Sequence, residues 1–221
     1  MFKQKRFFRG RRQPRSFNPS FLIQRVREQS TLEVVVIEND FADFPVAEQI
    51  KINIKAKGYL IPTPIQDKVI PLIIKGEDVV GIANTGTGKT AAFLIPLIDK
   101  VFKNRNEKVL VITPTRELAA QIEAEFMATA SNLRMYSALC IGGAGIGQQI
   151  NRLRQTPQFV IGTPGRLKDL EQRRVLHLSS FTTIVLDEVD RMLDMGFIHD
   201  VQHLISFLPD KRQSLFFSAT I

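Results

Sequence analysis

Ala83-Asn84-Thr85-Gly86-Thr87-Gly88-Lys89-Thr90 lies between a short apolar run at 79–82 and a helical pattern that opens near Lys89. A glycine-rich loop with a strand before it and a helix after it is suited to cradling phosphates. Gly86 and Gly88 let the backbone come close to the ligand, while successive N–H groups and the helix N-terminus face its charge. In this reading Ala83, Asn84, Thr85 and Thr87 complete the wrap. Lys89 reaches the β- and γ-phosphates of a nucleoside triphosphate, and the Thr90 hydroxyl ligates Mg2+.

A second cluster, Asp187-Glu188-Val189-Asp190, follows the apolar run 183–186. Carboxylates at the tip of a neighbouring strand can face a bound Mg·ATP across the upper edge of a sheet. Asp187 is then expected to hold the metal through water, and Glu188 to orient and deprotonate the attacking water.

The rest of the pattern supplies such a sheet. Apolar runs recur at 79–82, 109–112, 137–141, 159–161, 184–186 and 214–217, all but the last bounded on at least one side by Gly, Pro or a charged residue. Short continuous apolar strands suit a parallel sheet buried on both faces. Helical patterns fall between them, notably at 89–102, 115–130, 146–153 and 166–173. The expected fold is a three-layer α/β domain with a mostly parallel sheet, helices on both faces and functional residues at the strand C-terminal ends. No internal repeat is visible.

The chain has 221 residues and is 44% hydrophobic, ample for one domain with a sizeable core. Its net charge of +8 is concentrated at one end. Residues 1–27 hold nine Lys or Arg and no acid, whereas the remainder holds 21 basic and 22 acidic residues. Phe2, Phe7, Phe8, Phe17 and Phe21 interleave with those cations, a mixture that can grip single-stranded RNA. A transit peptide or a partner-docking tail accounts for the same residues. We expect residues 1–33 to be a disordered basic tail and 34–221 the folded domain, with 31–37 forming an edge strand or packing beneath it.

The single cysteine, Cys140, excludes an internal disulfide and fits a reducing compartment. No apolar run reaches membrane-spanning length, and no apolar segment follows the basic start as export requires. Cytoplasmic placement is therefore expected, although the basic tail also suits organelle or nuclear targeting. His177, His199 and His203 lack metal-ligand spacing with Cys140.

From residue 41 to 221 these features together resemble the first motor domain of a DEAD-box RNA helicase. Gly58-Tyr59-Leu60-Ile61-Pro62-Thr63-Pro64-Ile65-Gln66 matches the family's Q motif. The resemblance implies that Gln66 reads the adenine edge, with Tyr59 in the same nucleotide site. It also places an adenine-stacking aromatic at Phe41, leaving Phe44 to the core. Pro114-Thr115-Arg116-Glu117-Leu118, Gly142-Gly143 and Thr163-Pro164-Gly165-Arg166 match the family's RNA-backbone motifs in order. Helix starts at Thr115 and Thr163 can take phosphates, with Arg116 and Arg166 adding charge. Ser218-Ala219-Thr220 matches the motif whose hydroxyls bond the acidic cluster, here Asp190, to couple nucleotide state to RNA grip.

The resemblance thus implies a RecA-like P-loop domain, ATP and Mg2+ as cofactors, and RNA bound through its backbone. It also implies a second RecA-like domain that supplies arginine fingers and the other half of the RNA groove, so little turnover is expected from this chain alone. Two positions depart from the family pattern. Val189 replaces Ala in the acidic motif, and Asn84 stands where Gln is commoner. Two other readings remain at this stage: a stand-alone nucleotide- and RNA-binding module without unwinding activity, and a DNA-directed P-loop motor, against which the Q motif argues.

Overall fold

Each of the six apolar runs forms one strand, and every strand pairing is parallel. The structure is a computed structural model that describes residues 37–220. The expectations for the basic tail, and for 31–36 as a strand, lie outside the described residues. The strands are β1 (Val79–Ile82), β2 (Val109–Ile112), β3 (Ser137–Cys140), β4 (Phe159–Gly162), β5 (Thr183–Leu186) and β6 (Gln213–Ser218). The helices are α1 (Glu48–Ala56), α2 (Pro64–Ile74), α3 (Lys89–Lys103), α4 (Arg116–Thr129), α5 (Ile146–Arg154), α6 (Pro164–Gln172), α7 (Val189–Asp194) and α8 (Ile198–Ser206).

Alternation along the strands sends side chains to two separate cores. Val109, Val111, Phe159, Ile161, Val185, Leu215 and Phe217 face one layer with residues of α1 to α4. Leu110, Ile112, Val160, Ile184 and Leu186 face the other, with Leu153 of α5, Leu167 and Leu170 of α6, Met192 of α7, and Val201 and Leu204 of α8. β2, β4 and β5 are buried on both faces, as a doubly covered parallel sheet requires. β1 differs. Its outward residues Val80 and Ile82 are 71% and 46% exposed, because β1 is the edge strand and no helix of the second layer extends over it among the described residues.

The strand order is β1-β6-β5-β2-β4-β3, which differs from the order along the chain. Backbone pairing continues one residue beyond several strand ends: Ala83 N–H donates to the Ser218 carbonyl (3.0 Å), Asp187 to Ile112 (3.0 Å), Thr113 to Gly162 (3.0 Å) and Thr163 to Cys140 (3.1 Å). The loops after the strands are therefore held in register along a single edge of the sheet.

Candidate functional site

At the β1 end of that edge the glycine-rich loop turns into α3 through two left-handed residues, Gly86 (φ 84°) and Gly88 (φ 89°). Only glycine adopts this conformation without steric cost. Gly88 has a second constraint, because a Cβ there would overlap the Gln66 amide nitrogen. Lys89 is buried, and its Nζ donates to the Ala83 carbonyl at 2.7 Å. The Thr87 hydroxyl donates to the Asn84 carbonyl at 2.7 Å. Asn84 and Thr85 are exposed at the loop tip, and Thr90 is half-buried in the first turn of α3.

Gln66 sits in the first turn of α2, 2% exposed. Its Oε1 accepts from Thr63 N–H at 2.9 Å and its Nε2 donates to the Gly88 carbonyl at 3.1 Å. A primary amide has two donor hydrogens and two acceptor lone pairs, and these two bonds use one of each. The expected aromatic contact is more enclosed than the sequence implied. Phe41 is only 6% exposed, buried like its neighbour Phe44 at 2%. Its ring stacks on Tyr59 at 6.2 Å and meets Phe44 edge-on at 6.0 Å. The Tyr59 hydroxyl donates to Glu125 at 2.9 Å, and burial together with that carboxylate pushes its pKa up to about 12.

Two strands along, β5 delivers the acidic cluster. Asp187 is 2% exposed and accepts from Glu188 N–H at 3.0 Å. Burial pushes its carboxyl up to about 6, and Lys89 nearby pulls the other way. A buried carboxylate whose charged form is penalised gains from a cation beside it. A threonine hydroxyl and a carboxylate are also the oxygen donors that a hard divalent ion prefers, so Thr90 and Asp187 fit Mg2+. Glu188 is in the left-handed region (φ 55°), unusual for a residue with a side chain. Its Oε2 is paired with Arg191 Nη1 at 2.6 Å. That partner was not assigned from sequence, although three-residue spacing on a helix brings such pairs together.

Asp190 closes the cluster against β6. Its Oδ2 accepts from Ala219 N–H (3.2 Å), Thr220 N–H (3.2 Å) and the Thr220 hydroxyl (3.1 Å). Burial pushes this carboxyl up, but the hydrogen bonds from Arg191, Thr220, Ala219 and the Ser218 hydroxyl outweigh it and hold the group below the ordinary carboxylate value. The residues expected to couple the acidic cluster to the Ser-Ala-Thr segment are thus in contact.

The ends of β2, β3 and β4 form a cleft of about 580 Å³. Pro114, Thr115, Arg116, Gly142, Thr163, Gly165 and Arg166 line it, together with Met195 and Phe197 from the α7–α8 region. Gly143 (φ 78°) and Pro164 adjoin it. The Arg116 guanidinium lies so close over Gly143 that a Cβ there would overlap it. Thr115 uses its hydroxyl as the N-cap of α4, accepting from Leu118 N–H at 3.2 Å. A phosphate at that position would therefore meet the remaining free N–H groups of the first turn. Arg166 Nη1 donates to the Ala144 carbonyl at 3.3 Å. Phosphate loop, acidic cluster and cleft share one edge, with Asp187 of the acidic cluster bonded directly to the end of β2.

Residues 63–221 match the family model described as DEAD/DEAH box helicase. The chain is 44% identical over 182 residues to the ATP-dependent RNA helicase CshA of Limosilactobacillus reuteri, covering 82% of this chain and 37% of that protein. It is 47% identical over 166 residues to the ATP-dependent RNA helicase DeaD of Buchnera aphidicola, covering 74% and 28%. A DEAD box protein from the hyperthermophile Methanococcus jannaschii superposes with a TM-score of 0.79 at 40% identity, over 84% of this chain and 51% of that one. The chain thus spans well under half the length of these two curated relatives.

Proposed function

This chain belongs to the DEAD/DEAH box helicase family, and we propose that it is the ATP- and RNA-binding first motor domain of an ATP-dependent RNA helicase. Residues 34–221 form the RecA-like domain and 1–33 a basic RNA-binding arm. The observation that carries this reading is the shared sheet edge: the phosphate loop after β1 and the acidic cluster after β5 flank β6, and β2 begins the backbone-binding cleft on the far side of β5.

The loop from Ala83 to Thr90 wraps the triphosphate, and Lys89 exchanges the Ala83 carbonyl for the β- and γ-phosphates. Gln66 reads the adenine edge with its free donor and acceptor, and Phe41 and Tyr59 form the aromatic wall beside it. Thr90 and, through water, Asp187 would hold Mg2+, which would neutralise the charge of the phosphates. Glu188 takes the proton of the attacking water, with Oε1 not engaged by Arg191 Nη1, which bonds Oε2. Asp190, through Ser218 and Thr220, links the nucleotide side to the end of β6. Pro114 to Arg116, Gly142, Gly143 and Thr163 to Arg166 hold the RNA backbone without reading its sequence.

A second RecA-like domain supplies arginine fingers and the other half of the groove. ATP and RNA then bind together between the two domains, locally separating a duplex, and hydrolysis releases the RNA. An absent arginine finger costs on the order of a thousandfold or more in turnover, so this chain alone is at most weakly active. Its proposed setting is the cytoplasm, in keeping with the buried free thiol of Cys140.

The test uses the two-domain protein. Glu188→Gln keeps the shape of the side chain and removes the base, so turnover should fall to background while ATP-dependent RNA binding persists. Turnover at the wild-type rate would refute Glu188 as the base.

A further inference from the structure

Asp67 follows Gln66 in the first turn of α2, and the motif reading gave it no role. It is 6% exposed, and both carboxylate oxygens are engaged. Oδ2 accepts from Glu38 N–H at 2.9 Å; Oδ1 accepts from Asn39 N–H at 3.1 Å and from Asn39 Nδ2 at 2.7 Å. These bonds cross 28 and 29 residues of sequence. An acidic residue in a first helical turn commonly just complements the helix dipole, but these oxygens are committed to a different segment of chain.

That segment carries Phe41. Beyond Asn39 the backbone folds into a tight turn, in which Asp40 N–H donates to Asp43 Oδ2 (2.7 Å), Phe41 N–H to Asp40 Oδ1 (2.6 Å) and Asp43 N–H to the Asp40 carbonyl (3.0 Å). The turn presents the Phe41 ring to Tyr59. Its other side-chain tether is exposed, Lys51 Nζ to the Ala42 carbonyl. In the same turn of α2 as Asp67, Gln66 holds the Gly88 carbonyl of the phosphate loop. One helical turn therefore grips both the aromatic segment and the phosphate loop.

We propose that Asp67 is a positioning residue for base recognition: it ties the Phe41 segment to the turn that holds Gly88, fixing the spacing between the base end and the phosphate end of the nucleotide site. The inference rests on the adenine-facing reading of Gln66 and Phe41. The carboxyl is held below the ordinary carboxylate value, burial pushing it up and the bonds from Glu38 and Asn39 outweighing that. Asp67 therefore serves as an anion, and Asp67→Asn would turn an N–H2 group toward N–H donors.

Equilibrium binding of fluorescent ATP and GTP analogues to the 221-residue chain, alongside thermal unfolding, tests the proposal. The wild type should prefer ATP, and Gln66→Ala should erase that preference. Asp67→Asn should weaken ATP binding by about tenfold, the scale of one charge-assisted hydrogen bond, with GTP binding little changed. Asn39→Ala removes one of the three bonds from the opposite side and should move the ATP:GTP ratio in the same direction by a smaller factor. It decides the matter if Asp67→Asn fails to fold. A lowered melting temperature with an intact ATP:GTP ratio would make Asp67 merely structural and overturn the proposal. An intact ratio in Gln66→Ala would instead overturn the adenine reading beneath it.

Discussion

At Gly162, the last residue of β4, a Cβ would overlap the Cys140 carbonyl oxygen and lie 3.0 Å from Leu167 Cδ2. At Gly81, in β1, the same atom would meet two Phe217 ring carbons at 2.7 Å. The obstacles differ in how far they can yield. A phenyl ring can tilt, whereas the Cys140 carbonyl belongs to the adjacent strand and already accepts from Thr163 N–H. Gly162→Ala is therefore expected to cost about 3 kcal/mol, at the upper end for an overpacked core, and Gly81→Ala roughly 1–2 kcal/mol. Urea unfolding of the two variants measures the difference, and equal losses would show that β3 and β4 can part as readily as a ring can turn. The neighbour of Gly162, Thr163, lines the cleft, so the larger distortion should also weaken RNA binding.

Among the elements, α1 reveals a tie that periodicity does not. Asn53 is buried, and its amide donates to the Thr129 carbonyl (2.9 Å) and the Ser131 carbonyl (2.8 Å) at the end of α4. Helix C-terminal carbonyls lack partners within the helix, and that of Thr129, with the Ser131 carbonyl just beyond the cap, is satisfied from a helix more than 70 residues earlier in the chain. Asn53→Ala is expected to destabilise the domain by about 2 kcal/mol, since it strands buried acceptors. Calorimetric unfolding gives the figure, and a loss within error of zero would mean that water reaches those carbonyls. Such ties mark where sequence reasoning ends. The strands were legible because a strand covered on both faces must be apolar throughout, and the fully buried β2 begins and ends where its apolar run does. Lys89 and Asp187 were legible because their chemistry lies in contiguous motifs. The partners of Asp67 and the burial of Phe41 depend on contacts between separate segments, which no local pattern encodes. Strand order was hidden for the same reason.

For the whole molecule, two regions are candidates for holding RNA: the cleft, where Arg116 and Arg166 stand beside the carboxylates of Glu117 and Asp169, and the basic residues 1–33. Each neutralised phosphate on a single strand contributes about 0.7 to the slope of log affinity against log salt. Arg116→Ala with Arg166→Ala should therefore reduce that slope by about 1.4, and deletion of residues 1–33 should reduce it further. A salt titration of RNA binding across the three proteins checks this. An unchanged slope in the double variant would remove the cleft from the RNA path. The strand order also governs when the nucleotide site can come into being on the ribosome. Among the described residues, β1 pairs only with β6. The phosphate loop is translated well before β6, and its strand has no hydrogen-bonded neighbour among the described strands until Gln213–Ser218 emerges. At roughly 5–20 residues per second that interval is on the order of ten seconds. During it the nascent chain carries β1 without its sheet neighbour. The half of the sheet that bears the Arg116–Arg166 cleft can assemble first, and the half that bears the phosphate loop is completed by β6.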